Sequence, residues 1–351
     1  MGSHPVILIR ADANSEIATG HMMRCLTIAD ALRQQHAAIT FVFSDEESAS
    51  VFVRFLSIAQ IDEPFSYEIL HTDYRKLETE LDLLKDLILQ KNADLVLVDS
   101  YFVTKPYLNE ISKCCKCAYL DDLMMFDYPV DYVINYDLYP DVSFYKQAKQ
   151  KLLGSAYTPL RKQFTDITYD ISKKVNHILI STGGTDPYHL ALQLLENVRC
   201  SDFGETLASA HYHIIASTSH PDYEKLQDLA QSNDLIHIET DVEDMAALMS
   251  YCDIAITAGG TTLYELCAVS VPTICYSMAD NQIAPVKDFV TAGCCVYAGD
   301  CRNNPAFVSE LTTLLLDLYQ DYEKRFSLHS HMKQIIDGNG ARRIADVLCQ
   351  V

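Results

Sequence analysis

Short apolar runs alternate with amphipathic stretches along nearly the whole chain. Pro5–Ala11 (PVILIRA) reads as a buried strand, and His21–Gln35 follows it with Met22, Leu26, Ala29 and Leu32 on one helical face. Ala38–Phe43 is a second predicted strand. The helical stretch Leu77–Gln90 leads to a third at Asp94–Asp99, and Cys117–Leu120 and Tyr132–Ile134 complete a first set. Between about Tyr139 and Val175 the pattern loosens, with YKQAKQK at 145–151, Pro159 and Lys173-Lys174, so a linker is expected there. Alternation then restarts with His177–Ser181, Tyr212–Ala216, Ile236–Glu239, Ile254–Ala258 and Thr273–Tyr276. From Phe307 to Val351 the chain is predicted mostly helical, with a break at Asp337–Gly340.

Continuous β-branched runs separated by helices imply parallel sheets covered on both faces. The expectation is an α/β protein of two doubly wound, Rossmann-like domains, residues 5–160 and 161–351, with the last helix able to cross back onto the first domain. Two such domains facing one cleft would bind ligands at the carboxyl ends of their strands.

Composition narrows the partners. A length of 351 residues fits two domains of ordinary size, and 49% hydrophobic residues supply a core for each. No apolar run approaches the ~18 residues of a spanning helix, so no membrane insertion is expected. Lys and Arg total 27 against 48 Asp and Glu, a formal charge of -21, which repels nucleic acid and anionic membranes. An anionic ligand must then be held by helix N-termini and a few placed cations. Twelve cysteines without a recognisable secretory leader predict reduced thiols and a cytoplasmic protein.

The strand-to-helix turns carry the candidate chemistry. Asp12–Gly20 follows the first strand and opens a helix, whose first turn holds His21. The positive end of a helix disfavours an imidazolium, and a neutral ring can act as a general base. Arg24 lies one turn on, as a phosphate or sugar contact or a plain surface cation. Ser181-Thr182-Gly183-Gly184-Thr185-Asp186-Pro187 and Ala258-Gly259-Gly260-Thr261-Thr262 both join a strand to a helix and present backbone N–H groups, a phosphate cradle. Neither matches a Walker A loop or GxGxxG, so ATPase and dinucleotide readings lose support. Glu265, one turn into the second helix, is placed to accept ribose hydroxyls, and Asn281-Gln282 to contact sugar or phosphate. Asp99-Ser100-Tyr101, Asp121-Asp122 and Asn135 end strands of the first domain. Adjacent Asp121 and Asp122 point to opposite faces and do not predict a shared metal. The Cys114-x-x-Cys117 spacing lacks a second pair, so no zinc site is expected.

Taken together, Gly20-His21-Met22-Met23-Arg24, Tyr157-Thr158-Pro159-Leu160-Arg161-Lys162-Gln163-Phe164, Gly183-Gly184-Thr185-Asp186, Glu265 and Asn281-Gln282 resemble a known family. They are similar to the UDP-sugar hydrolases of the pseudaminic acid pathway, which cleave UDP-2,4-diacetamido-2,4,6-trideoxy-β-L-altropyranose, and to spore-coat polysaccharide proteins that share the pattern. The match runs from about Val6 to Gly293. It departs at Ala18, where the family has glycine, and at Ser100, where some members carry histidine. The resemblance implies a GT-B-like fold and hydrolysis at the anomeric carbon, with the residue matching His21 catalytic. The sugar is then expected against Asp12, Gly20, Arg24, Tyr101 and Asn135. The nucleotide falls to Gly183, Gly184, Thr185, Gly259, Gly260, Thr261, Thr262, Glu265, Asn281 and Gln282. Backbone donors would stabilise the leaving diphosphate, so neither a metal nor a cofactor is expected. The alternatives are a GT-B glycosyltransferase using a UDP-sugar, a 2-epimerase of the UDP-GlcNAc type and a non-catalytic nucleotide-sugar binder.

Overall fold

Two all-parallel sheets carry the strands that the apolar runs predict. The computed structural model describes residues 4–14, 17, 20–183, 186–200, 204–218 and 220–350. The chain divides into two units, Met1–Lys162 with Gly338–Val351, and Gln163–Asp337.

In the first unit seven strands lie in the order β3-β2-β1-β4-β5-β6-β7. They are β1 Val6–Ala11, β2 Ala38–Phe43, β3 Ser66–Ile69, β4 Leu95–Asp99, β5 Lys116–Leu120, β6 Tyr132–Asn135 and β7 Gln150–Leu153. Helices α1 Gly20–Gln34, α2 Glu46–Ile58, α3 Leu81–Lys91 and α4 Lys105–Ile111 connect them. Ile7, Leu8 and Ile9 are all fully buried, as a central strand covered on both faces requires. Local chemistry sets the helix ends. Asp45 caps α2 by accepting from Ser48 N at 2.7 Å, and Asn92 closes α3 in the left-handed region at φ 50°.

The two strands without an apolar signature, β3 (SYEI) and β7 (QKLL), are the two edges of this sheet. An edge strand keeps exposed, polar positions, so its sequence does not read as buried. β7 lies inside the stretch expected to be linker and pairs with β6 from Tyr132↔Gln150 to Asn135↔Leu153. The loosened pattern thus holds a polar edge strand as well as the passage between the two units at Lys162–Gln163.

The second unit has six strands in the order β10-β9-β8-β11-β12-β13. They are β8 His177–Ser181, β9 His211–Ile215, β10 Ile236–Glu239, β11 Ile254–Ala258, β12 Thr273–Ser277 and β13 Val296–Asp300. Its helices are α5 Leu190–Cys200, α6 Gly204–Leu207, α7 Tyr223–Ser232, α8 Met245–Tyr251, α9 Thr261–Val269, α10 Asp280–Thr291, α11 Phe307–Gln320 and α12 Tyr322–Met332. Each sheet reverses its direction of winding once, between β1 and β4 in one unit and between β8 and β11 in the other. Those reversals are where doubly wound sheets place ligands.

The closing helix, α13 (Gly340–Leu348), packs on α1 of the first unit with Ala341, Ile344, Ala345 and Leu348 buried. Arg343 donates to the Ala156 carbonyl at 2.9 Å and Gln35 to Asp346 at 2.6 Å. Gly340 starts this helix against bare backbone: a Cβ there would stand 2.1 Å from the Thr158 carbonyl oxygen. Gly340→Ala therefore forces α13 off its seat, and thermal melting should show a loss of about 1–3 kcal/mol, the usual cost of overpacking. An unchanged midpoint would mean that α13 contributes nothing to the first unit. Among the described residues no helix is long and apolar enough to cross a membrane.

Candidate functional site

The winding reversal of the first unit brings the start of α1 beside the end of β4. His21, the second residue of α1, is 4% exposed, and its Nδ1 lies 2.7 Å from Oδ1 of Asp99, the last residue of β4. The Tyr101 ring meets the imidazole edge-on, with centroids 4.5 Å apart. Arg24, one turn along α1, grips the same carboxylate with two bonds, Nε to Oδ2 at 2.6 Å and Nη2 to Oδ1 at 2.5 Å. Its Nη1 donates to Asp122 Oδ2 at 3.0 Å and to the Tyr136 hydroxyl at 2.8 Å.

Charge decides the tautomer. Burial pushes the Asp99 carboxyl up, but Arg24 and then His21 outweigh it and hold it well below the usual carboxylate range. An ionised Asp99 only accepts, so in its bond with His21 the proton is assigned to Nδ1, which also lies 3.1 Å from Arg24 Nη2. Nε2 of a neutral ring then carries the lone pair. This is the carboxylate–imidazole pairing of a general base, in which the acid holds the ring's tautomer and orientation. Tyr101 donates to Asp122 Oδ2 at 3.0 Å. Burial and then Asp122 raise its hydroxyl well above the ordinary tyrosine range, so it stays a neutral donor. The other Asp122 oxygen, Oδ1, is buried without a hydrogen-bond partner.

Three residues expected at the sugar have partners within the protein. Arg24 directs Nε, Nη1 and Nη2 into Asp99, Asp122 and Tyr136. Asp12 is 2% exposed, with Oδ2 on Arg10 Nη1 at 2.5 Å and Oδ1 accepting from Ser44 N at 2.8 Å. It belongs to a sealed cluster in which Arg10 also forks onto Glu80 with two bonds of 2.7 Å, and Tyr107 donates to Glu80 at 2.6 Å. Asn135 is fully buried between Tyr145 and the backbone of Asp137. Gly20 is the first residue of α1, and Tyr101 stays beside His21. Asp121 and Asp122 do part company: Asp121 accepts from Tyr128 and Tyr145 while Asp122 turns to Arg24. Asp99, Asp122 and Tyr136 are the members that sequence reasoning did not assign. Their one signal was a polar residue at the end of β4, β5 or β6.

In the second unit the turns after β8, β11 and β12 lie side by side, because those strands are neighbours. Gly184 and Thr185 lie outside the described residues. Gly183 sits at φ +83°, in the left-handed region that favours glycine. Asp186 is 1% exposed and accepts from Leu190 N and Ala191 N, both at 3.0 Å. Its carboxylate thus occupies the first donors of α5.

The second turn differs. Gly260 caps α9 with no side chain, and a Cβ on it would meet nothing within 4 Å. The first N–H groups of α9, Thr261 and Thr262, receive no side-chain acceptor from that cap. Gly259 serves packing instead: a Cβ there would fall 2.3 Å from Val286 Cγ2 of α10. The α9 cap thus contributes no side-chain acceptor to its first N–H groups. Glu265 lies in the second turn of α9, partly buried. Asn281 is exposed at the start of α10, and Gln282 closes the β12–α10 turn by accepting from Met278 N at 2.9 Å.

Residues 177–347 match the model of the glycosyltransferase family 28 C-terminal domain. The chain is 24% identical to the spore coat polysaccharide biosynthesis protein SpsG of Bacillus subtilis (strain 168) over 343 residues, covering 97% of this chain and 96% of that protein. It is 23% identical over 278 residues to the UDP-2,4-diacetamido-2,4,6-trideoxy-beta-L-altropyranose hydrolase of Campylobacter jejuni, covering 77% of this chain and 91% of that one. The crystal structure of Acinetobacter baumannii MurG superposes with a TM-score of 0.70 at 16% identity, covering 99% of this chain and 100% of that one. The fold is that of the GT-B glycosyltransferases, with two Rossmann-like domains.

Proposed function

We propose that this chain hydrolyses a UDP-linked sugar, with His21 as general base and UDP as leaving group. The observation that carries the reading is the Asp99–His21 pair at the winding reversal of one unit, with Nδ1 2.7 Å from a carboxylate held ionised by Arg24. His21 Nε2 takes a proton from water, whose oxygen bonds to the anomeric carbon. The carbon–oxygen bond to the diphosphate breaks, and its electron pair leaves with UDP. The Tyr101 hydroxyl and the unpaired Asp122 oxygen are assigned to the sugar. Within the second unit we assign nucleotide recognition to the N–H groups opening α9, whose cap Gly260 supplies no side-chain acceptor, and to Glu265. The likeness to the Campylobacter enzyme points to a diacetamido-trideoxy sugar.

A glycosyltransferase is the second reading, favoured by the family 28 match over 177–347. There an acceptor hydroxyl takes the place of water. Incubating the chain with a panel of UDP-sugars in ¹⁸O-water separates the two. Acceptor-free release of UDP, with label on the anomeric oxygen of the sugar, supports hydrolysis. No release without an acceptor overturns it, and label on the phosphate excludes attack at carbon. For the ribose contact, Glu265→Ala should weaken UDP binding by about tenfold, the worth of one charged hydrogen bond. Calorimetry finding an unchanged affinity removes Glu265 from the nucleotide site.

A further inference from the structure

Two strand-to-helix turns of the second unit are tied together by two aspartates and two histidines, one of each from either turn. Asp186 and His189 come from the β8–α5 turn, His220 and Asp222 from the β9–α7 turn. Asp186 lays its carboxylate on Leu190 N and Ala191 N of α5. His220 Nε2 lies 3.5 Å from Asp186 Oδ2, and both side chains are buried. Asp222, also buried, reaches His189 Nδ1 through Oδ2 at 2.5 Å. Two backbone bonds close the ring of contacts. The Asp222 N–H donates to His220 Nδ1 at 3.1 Å, and the His189 N–H to the Asp186 carbonyl at 3.0 Å.

Hydrogen bonding orients both rings. A nitrogen that accepts from a backbone amide carries the lone pair, so the His220 proton is assigned to Nε2, toward Asp186. That Nε2 is buried without a hydrogen-bond partner, since 3.5 Å is a charge contact and not a bond. Burial raises the Asp222 carboxyl, but His189 and Lys225 outweigh it and hold it below the usual carboxylate range, so Oδ2 accepts from His189. The backbone shows why such tethers are needed. Asp186 and His189 stand at φ 33° and 55°, in the left-handed region that costs residues other than glycine. Strain of that kind persists only where surrounding contacts over-determine the conformation. His220 and Asp222 are contacts that reach those two residues from a different turn.

We propose that His220 is a positioning residue for the nucleotide: its Nε2–H keeps the Asp186 carboxylate on the first amides of α5, and with Asp222 and His189 it sets the path of the β8–α5 turn. The role rests on the nucleotide lying in the second unit, as proposed above. β8 and β11 are neighbours at the reversal of winding, so this turn flanks the one that opens α9. Charge gives the contact a further use. A carboxylate beside a diphosphate repels it, and the His220 N–H together with the two α5 amides draws the Asp186 charge into the protein.

The test compares the full chain with His220→Asn and His220→Gln. Asparagine keeps an acceptor at the place of Nδ1 but does not reach Asp186, whereas glutamine puts an amide N–H at the place of Nε2. His220→Asn should speed hydrogen–deuterium exchange of the segment holding Leu190 and Ala191. It should also weaken UDP binding about three- to tenfold by calorimetry, the worth of one hydrogen bond. His220→Gln should exchange more slowly and bind UDP more tightly than His220→Asn. An asparagine variant that exchanges or binds like the parent, or a glutamine variant no better than it, overturns the role. A parent that binds no UDP overturns the proposed function and this role together; UDP binding that His220→Asn leaves unchanged overturns this role alone. If His220→Asn melts early, His189→Ala, which cuts the tether at its exposed end, is read the same way for exchange and affinity.

Discussion

His21→Ala should lower the rate of UDP release by about 10²–10⁴-fold, the ordinary contribution of a positioned general base. UDP affinity should stay within about twofold, because the nucleotide is assigned to the other unit. Single-turnover rates and calorimetry on the same preparation give the two numbers. Equal loss of rate and binding would make the imidazole a ligand or a structural group, not a base. Asp99→Asn extends the test. An amide can donate to Nδ1 and so place the ring proton on Nε2, which removes the lone pair that water needs. That variant should lose rate comparably, with the imidazole still present. Asp99 is held well below the usual carboxylate range by Arg24 and His21 against its burial. Its stabilising contribution is therefore present above the unfolded carboxylate value near ~3.9 and is lost only in stronger acid. Any step in the pH–rate profile between about pH 5 and 8 belongs to another group.

Glu80→Ala should destabilise the first unit by about 3–5 kcal/mol, the cost of removing one partner from a buried ion pair. Glu80 and Arg10 are both fully buried, and Arg10 reaches Glu80 with two bonds and Asp12 with a third. Without Glu80 the guanidinium keeps Asp12 alone, and the Tyr107 hydroxyl loses its acceptor. At about 2–4 °C per kcal/mol for a unit of this size, the melting midpoint should fall by roughly 6–20 °C. Calorimetry should show that loss in one of two transitions, since the second unit holds its own core. A shift under about 1 kcal/mol would mean that water reaches Arg10 and compensates it.

The central strands were legible because their burial is written into consecutive residues. The strand-to-helix turns were legible because Gly, Thr and Asp at a strand end have few other uses. The edge strands β3 and β7 were not: half their positions face solvent, and Gln150-Lys151 reads like a loop. That Asp12 and Asn135 are buried with internal partners was not legible, since a polar residue at a strand end can face a ligand or a neighbour.

The amino-acid order by itself determined two doubly wound units and the loops at their carboxyl ends, since periodicity reports how each short segment is buried. Only tertiary structure decided which polar groups meet. His21 finds Asp99 across 78 residues and Arg10 finds Glu80 across 70. The last helix leaves its neighbours in sequence to lie on α1. Hydrophobic spacing is a local signal, whereas a hydrogen bond between distant strand ends exists only once the sheet has set their order.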